Sequence, residues 1–107
     1  MSIENQILVM VDLETEAWDI QDAEELVSLF HPDMVLPWPP DKFSHDPITR
    51  VFPYGRFNRV RWNESWEELF RSYVLVHNHC DIKRIVVSDQ ADGAFAVVDV
   101  GTLWRHR

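Results

Sequence analysis

A helical period opens the chain: Ile7, Leu8, Val11, Thr15 and Trp18 fall on one face, while Asp12, Glu14, Glu16 and Asp19 take much of the other. Ser2 is placed to cap this first helix, with Glu4 in its favourable first turn. Asp22, with Glu25 three residues on, has the capping-box spacing and predicts a second, shorter helix. Leu26, Leu29 and Phe30 supply its buried side and Pro32 stops it. Met34 to Leu36 then read as a short strand, and the prolines of Pro37-Trp38-Pro39-Pro40-Asp41 enforce irregular chain. Residues 42–50 are polar and read as a loop, and a further strand is expected around Phe57 to Arg61. Ser65 and Glu68 repeat the capping-box spacing and predict a third helix, whose apolar stripe runs Trp66, Leu69, Phe70, Tyr73, Val74 and His77.

The carboxyl-terminal pattern changes period from helical to alternating. Two strand-like runs, Cys80 to Ser88 and Ala94 to Arg105, flank Asp89-Gln90-Ala91-Asp92-Gly93, which predicts a hairpin with a five-residue loop. In the second run Phe95, Val97, Gly101 and Leu103 point one way; Ala94, Ala96, Val98, Val100 and Trp104 point the other. Both faces are apolar, whereas a sheet with one wet face needs only one such face. Helices can cover one side, and a second copy of the chain is the simplest cover for the other.

Length and composition bound the rest. A chain of 107 residues accommodates a single domain, 1–107, and 46% hydrophobic residues suffice for a core. Five tryptophans and six phenylalanines give that core, or a cavity within it, large flat walls. The net charge of −8 is uneven: residues 1–41 hold ten acids and no Lys or Arg, while residues 42–107 hold eight acids and ten bases. The acidic half repels a phosphate backbone or an anionic membrane surface, so neither nucleic acid nor membrane is an expected partner. Cys80 is the single cysteine, which rules out an intrachain disulfide and suits a reducing compartment. With no basic amino-terminal region and a longest amino-terminal apolar run of Ile7 to Val11, a cytoplasmic protein is expected.

The element order resembles the SnoaL-like branch of the nuclear-transport-factor-2-like superfamily. The resembling residues are Ala17-Trp18-Asp19 with Asp22-Ala23 at the helix junction, and Leu29-Phe30-His31-Pro32-Asp33-Met34-Val35. Ala94-Phe95-Ala96-Val97-Val98-Asp99-Val100 and Thr102-Leu103-Trp104-Arg105 complete the pattern. The resemblance implies an α+β cone in which helices pack in the concave side of a strongly bent antiparallel sheet. It also implies a pocket at the open end and, in many members, homodimers joined sheet to sheet. Members include isomerases, dehydratases, epoxide hydrolases, polyketide cyclases and non-catalytic association modules, so fold alone does not choose among them. Members continue beyond a Leu-Trp-Arg stretch into further strands, whereas here the sequence stops at Arg107. A short variant, a truncation or completion by a partner are the three readings of that difference.

Within this frame Asp99 is the leading candidate general base, because it interrupts an apolar strand with the parity of Phe95 and Val97. Lining a pocket, its carboxyl would be desolvated and its pKa raised; a carboxylate satisfied by Arg, Trp or Tyr is the plainer account. Asp41 and His45 follow the first strand near the expected mouth, Asp41 to orient a substrate or water and His45 as a base oriented by Asp46. As solvated loop residues they have an equally simple explanation. Trp38, Tyr54, Trp62, Phe95 and Val97 would shape the pocket around a small apolar or aromatic ligand, although Tyr54 and Trp62 also suit a core. His77, His79, Cys80 and Asp81 suggest metal ligands at first sight, but a helical His77 would not share a face with His79, so no metal site is expected. Arg50, Arg56, Arg59 and Arg61 concentrate positive charge, placed either to hold an anionic ligand or, as the simpler reading, to cap the acidic helices across a dimer. No nucleophile elbow, phosphate loop or paired-carboxylate motif is present, so acyl and phosphoryl transfer are disfavoured. In line with the resemblance, the expected protein binds a small apolar ligand and, as an enzyme, performs cofactor-free isomerisation, dehydration or cyclisation; the alternative is a non-catalytic homodimeric association module.

Overall fold

The computed structural model describes residues 2–44, 46–55 and 57–107. It is an α+β domain with helices α1 (Ile3–Asp19), α2 (Ala23–Ser28) and α3 (Arg59–Ser72). Strands β1 (Tyr73–Val87) and β2 (Ala94–His106) follow, and a single 3₁₀ turn lies at Pro47–Thr49. The two expected amino-terminal caps form: Ser2 Oγ accepts from Asn5 N–H and Asp22 Oδ1 from Glu25 N–H, each at 3.1 Å. Between them Gln21 adopts φ +54° and turns the chain sharply from α1 into α2.

The middle of the chain departs from the expectation in three places. Met34 to Leu36 form no strand; Val35 makes only an isolated bridge, and the Met34 carbonyl accepts from Phe57 N–H at 2.6 Å. Phe57 to Arg61 is not a strand either, because Asn58 caps α3 by accepting from Arg61 N–H at 3.0 Å. With the helix starting at Arg59, Trp62, Trp66 and Phe70 recur every fourth residue and are all buried. Ser65 therefore sits inside the helix, where its hydroxyl lies 2.6 Å from the Tyr54 hydroxyl instead of capping anything. Finally His77 is not helical: α3 ends at Ser72 and β1 begins at Tyr73 with no intervening loop. The β-branched and aromatic content of Tyr73-Val74-Leu75-Val76 favours extended chain and overrides the helical spacing of Tyr73 and His77.

The core is a connected series of aromatic rings. Trp62 contacts Trp38 (centroids 5.5 Å), Tyr54 (5.0 Å) and Trp66 (5.1 Å). Trp66 continues to Phe30 (5.6 Å) and edge-on to Trp18 (5.8 Å), and Trp18 to Phe70 and Trp104. All five tryptophans thus belong to one chain of rings running from the proline-rich segment to the base of the hairpin. Leu26 and Val27 of α2 close the cluster and are the largest of the fully buried side chains.

The hairpin is longer than expected. β1 and β2 pair antiparallel from Tyr73 opposite His106 to Val87 opposite Ala94, with two irregularities that leave Val76 and Lys83 of β1 unpaired. Ser88 organises the turn, accepting from Asp92 and Gly93 N–H at 3.2 and 3.1 Å and lying 2.8 Å from Asp92 Oδ1. The loop is consequently Ser88–Gly93. Among the described residues the sheet has these two strands only and does not close on itself. α1 lies across β1 and reaches β2, and Trp104 is the β2 side chain that enters the ring cluster. Beyond that contact the ribbon projects. The radius of gyration is 14.8 Å and the longest extent 45 Å, against about 13 Å expected for a compact chain of this length.

Candidate functional site

The residues singled out in the sequence separate into two groups. Trp38, Tyr54 and Trp62 meet at one end of α3, where Trp38 also pairs with Val51 through two backbone hydrogen bonds of 2.8 Å. Trp62 is buried and Tyr54 packs against the core beside it, while Trp38 lies over Trp62 at the surface, 39% exposed. Asp99, Phe95 and Val97 lie on the hairpin face turned away from the helices, and Phe95 is 58% exposed. No ring contact, hydrogen bond or ion pair joins the two groups among the described residues.

Asp99 is not desolvated as expected. Its side chain is 72% exposed and stands 3.7 Å from Lys83 Nζ, which also binds Asp81 at 2.6 Å. The register explains the cluster, since Asp81 is directly opposite Asp99 and the bulge returns Lys83 to the same face. The hydrogen bond and charge of Lys83 hold the Asp81 carboxyl below the ordinary carboxylate range, and Asp81 in turn raises Lys83. One lysine thus serves two carboxylates at the middle of an apolar strand.

Asp41 accepts from Phe43 N–H at 2.8 Å and from the Ser44 hydroxyl at 2.9 Å, so it organises its own loop. His45 lies outside the described residues, as does Arg56. His77 and His79 share one face of β1, with rings parallel to within 3° and centroids 6.5 Å apart, while Cys80 takes the other face. Among the described residues no group of three or more metal-binding side chains converges.

Two features escaped the sequence. Gln21 clamps the start of β1, its Nε2 donating to the Tyr73 carbonyl at 2.9 Å and its Oε1 accepting from Leu75 N–H at 3.5 Å. It borders an open groove of about 740 Å³ between the α1–α2 corner, α3 and Arg107. Neither this groove nor the second, between α2 and α3, includes Asp99 or any residue of the trio. The second feature is the indole nitrogen of Trp66, buried without a hydrogen-bond partner among the described residues.

Glu14 carries a further electrostatic signature. Although Glu14 stays exposed on α1, partial desolvation by its surroundings raises its carboxyl above the ordinary value, partly offset by the hydrogen bond from Trp18. A raised carboxyl pKa means the fold favours the protonated form. Stability is therefore greatest below the unfolded pKa and declines as pH rises through the folded one. Glu14→Gln keeps an acceptor for Trp18 and is expected to melt higher than the natural chain at pH 7, the gap narrowing toward pH 4. Paired thermal melts across that range check this; a gap that ignores pH would refute it.

Comparison of the chain with protein-family models, with curated proteins and with solved structures returned no match. No helix among the described residues is long and apolar enough to cross a membrane.

Proposed function

We propose that this chain is a non-catalytic homodimeric association module whose working surface is the long hairpin. The observation that carries this reading is the exposure of apolar side chains on both faces of one ribbon: Phe95 and Leu103 on one, Val98 and Val100 on the other. Val76 and Val97 are exposed as well, and exposed apolar surface of this kind marks interaction sites. An isolated two-stranded ribbon is marginal in water, and a third strand or a packed face stabilises it. The aromatic interior supports the same reading, because Trp62 is buried and Tyr54 packs against the core. A pocket enzyme of the SnoaL-like kind, with Asp99 as base, needs those residues and Asp99 in one lining, and they lie in separate regions.

Native mass spectrometry at micromolar concentration tests the proposal. A dimer without adduct is the expected result. A monomer would sink it, and a dimer carrying a small molecule released on denaturation would return the pocket reading to the front.

A further inference from the structure

The hairpin has two open edges, and they differ. β1 bulges at Val76 and Lys83 and carries Lys83 and Arg84, features that blunt an edge against pairing. β2 has no irregularity over its 13 residues and holds no Lys, Arg or Pro from Ala94 to Trp104.

The outward groups of β2 follow from the bonds that bracket it. Ser88 N–H donates to the Gly93 carbonyl at 2.8 Å, and Arg107 N–H donates to the Ser72 carbonyl at 2.9 Å. Both bonds put odd-numbered residues on the β1 side. Since β2 is unbroken, antiparallel alternation aims the N–H and C=O groups of Ala96, Val98, Val100 and Thr102 at the free edge.

We propose that this edge pairs antiparallel with β2 of a second copy about a two-fold axis at Val100, joining two hairpins into one four-stranded sheet. The inference rests on the homodimer reading above and assigns it a backbone seam, which answers the marginal stability of an isolated two-stranded ribbon and extends the apolar faces across four strands without covering them. Three properties of the sequence select this register. First, an axis at Val100 sets Ala94 opposite His106 and so overlaps the whole of β2, whereas an axis at Val98 pairs only Ala94 to Thr102. Second, it places Val97 opposite Leu103 and Val98 opposite Thr102, apolar and β-branched cross-strand pairs of the kind that stabilise sheets. An axis at Asp99 instead sets two carboxylates directly opposite each other, in the closely spaced class of pair. Third, it gives Gly101 a purpose. Glycine weakens a strand interior, and within one copy a Cβ at this position would meet nothing within 4 Å. In the seam Gly101 stands opposite Asp99 of the second copy and beside His79 of its own β1. The carboxylate of one copy and the imidazole of the other then face each other over the glycine, with two strand spacings, about 10 Å, between their backbones.

Hydrogen exchange by NMR on the intact protein, at a concentration where native mass spectrometry reports the dimer, tests the seam. The amides of Ala96, Val98, Val100 and Thr102 are expected to exchange as slowly as those of Val97, Asp99 and Gly101. A dimer in which the even-numbered amides exchange freely would overturn the seam while leaving the dimer reading in place. A monomer would overturn both. Val98→Pro removes a donor that faces the open edge, a position where an edge strand tolerates proline. It is expected to preserve the hairpin and weaken dimerisation at least about a hundredfold, the loss of roughly two seam hydrogen bonds and local register. A Val98→Pro protein that folds and dimerises normally would also refute the seam, and if the variant fails to fold the exchange pattern of the natural chain decides.

Discussion

Trp66→Ala is expected to remove about 3–5 kcal/mol of stability, the range for truncating a large buried aromatic. Trp66 is 3% exposed and touches Trp18, Phe30 and Trp62, so three rings lose a neighbour at once. A domain of this size has only about 5–15 kcal/mol in total. The variant should therefore be close to half unfolded in mild urea, where the natural chain is intact. Urea melts of both proteins give the difference directly. Trp66→Phe is the informative control, because it retains a ring and discards an indole N–H that finds no partner. It should cost far less than the alanine change. A loss below about 1 kcal/mol for Trp66→Ala would mean that the ring chain is not the organising core.

Trp104→Ala is expected to have the second-largest effect, and a localised one. Trp104 stacks on Phe70 at 6.3 Å and meets Trp18 edge-on at 6.1 Å, anchoring β2 to the helices. Without it the hairpin is still held by the contacts of β1 with α1 and α3, by the Gln21 clamp, by the Asn78–Asp19 hydrogen bond and by Arg107 on the Phe70 and Ser72 carbonyls. The loss should be about 2–4 kcal/mol, concentrated in the strands: amides from Cys80 to Val100 should exchange faster, while those of α2 and α3 change little. Uniform acceleration across the chain would show instead that helices and hairpin unfold as one unit.

The amino-terminal helices were legible because their signals are local. Ser2 and Asp22 are capping residues followed by apolar residues at helical spacing, and each bonds an amide three residues on. The third helix was misplaced by a competing local signal of the same kind. Ser65 and Glu68 have the spacing of a capping box, but the hydroxyl of Ser65 is engaged by Tyr54, a tertiary partner that spacing does not reveal. Asn58, with an amide donor at Arg61, was the real cap. His77 was drawn into the helix because Tyr73, Val74 and His77 also fit a helical stripe. The exposed carboxylate of Asp99 shows a different limit. Its side of the strand was readable from parity, but what covers that side was not. Desolvation depends on the neighbouring layer, and Lys83 reaches Asp99 only because a bulge turns it to that face.

The direct junction of α3 with β1 makes the helix and the hairpin a lever. Ser72 ends one element and Tyr73 begins the other, with no loop to absorb a change of direction. The Gln21 clamp, the Asn78–Asp19 hydrogen bond and Trp104 fix the base of the ribbon, and from Asn78 to the turn at Ser88 it runs about 33 Å, so a tilt of about 8° of that base sweeps the tip by about 5 Å. Small adjustments in how Trp66 and Phe70 seat among their neighbours therefore become displacements at the far end as wide as a strand spacing.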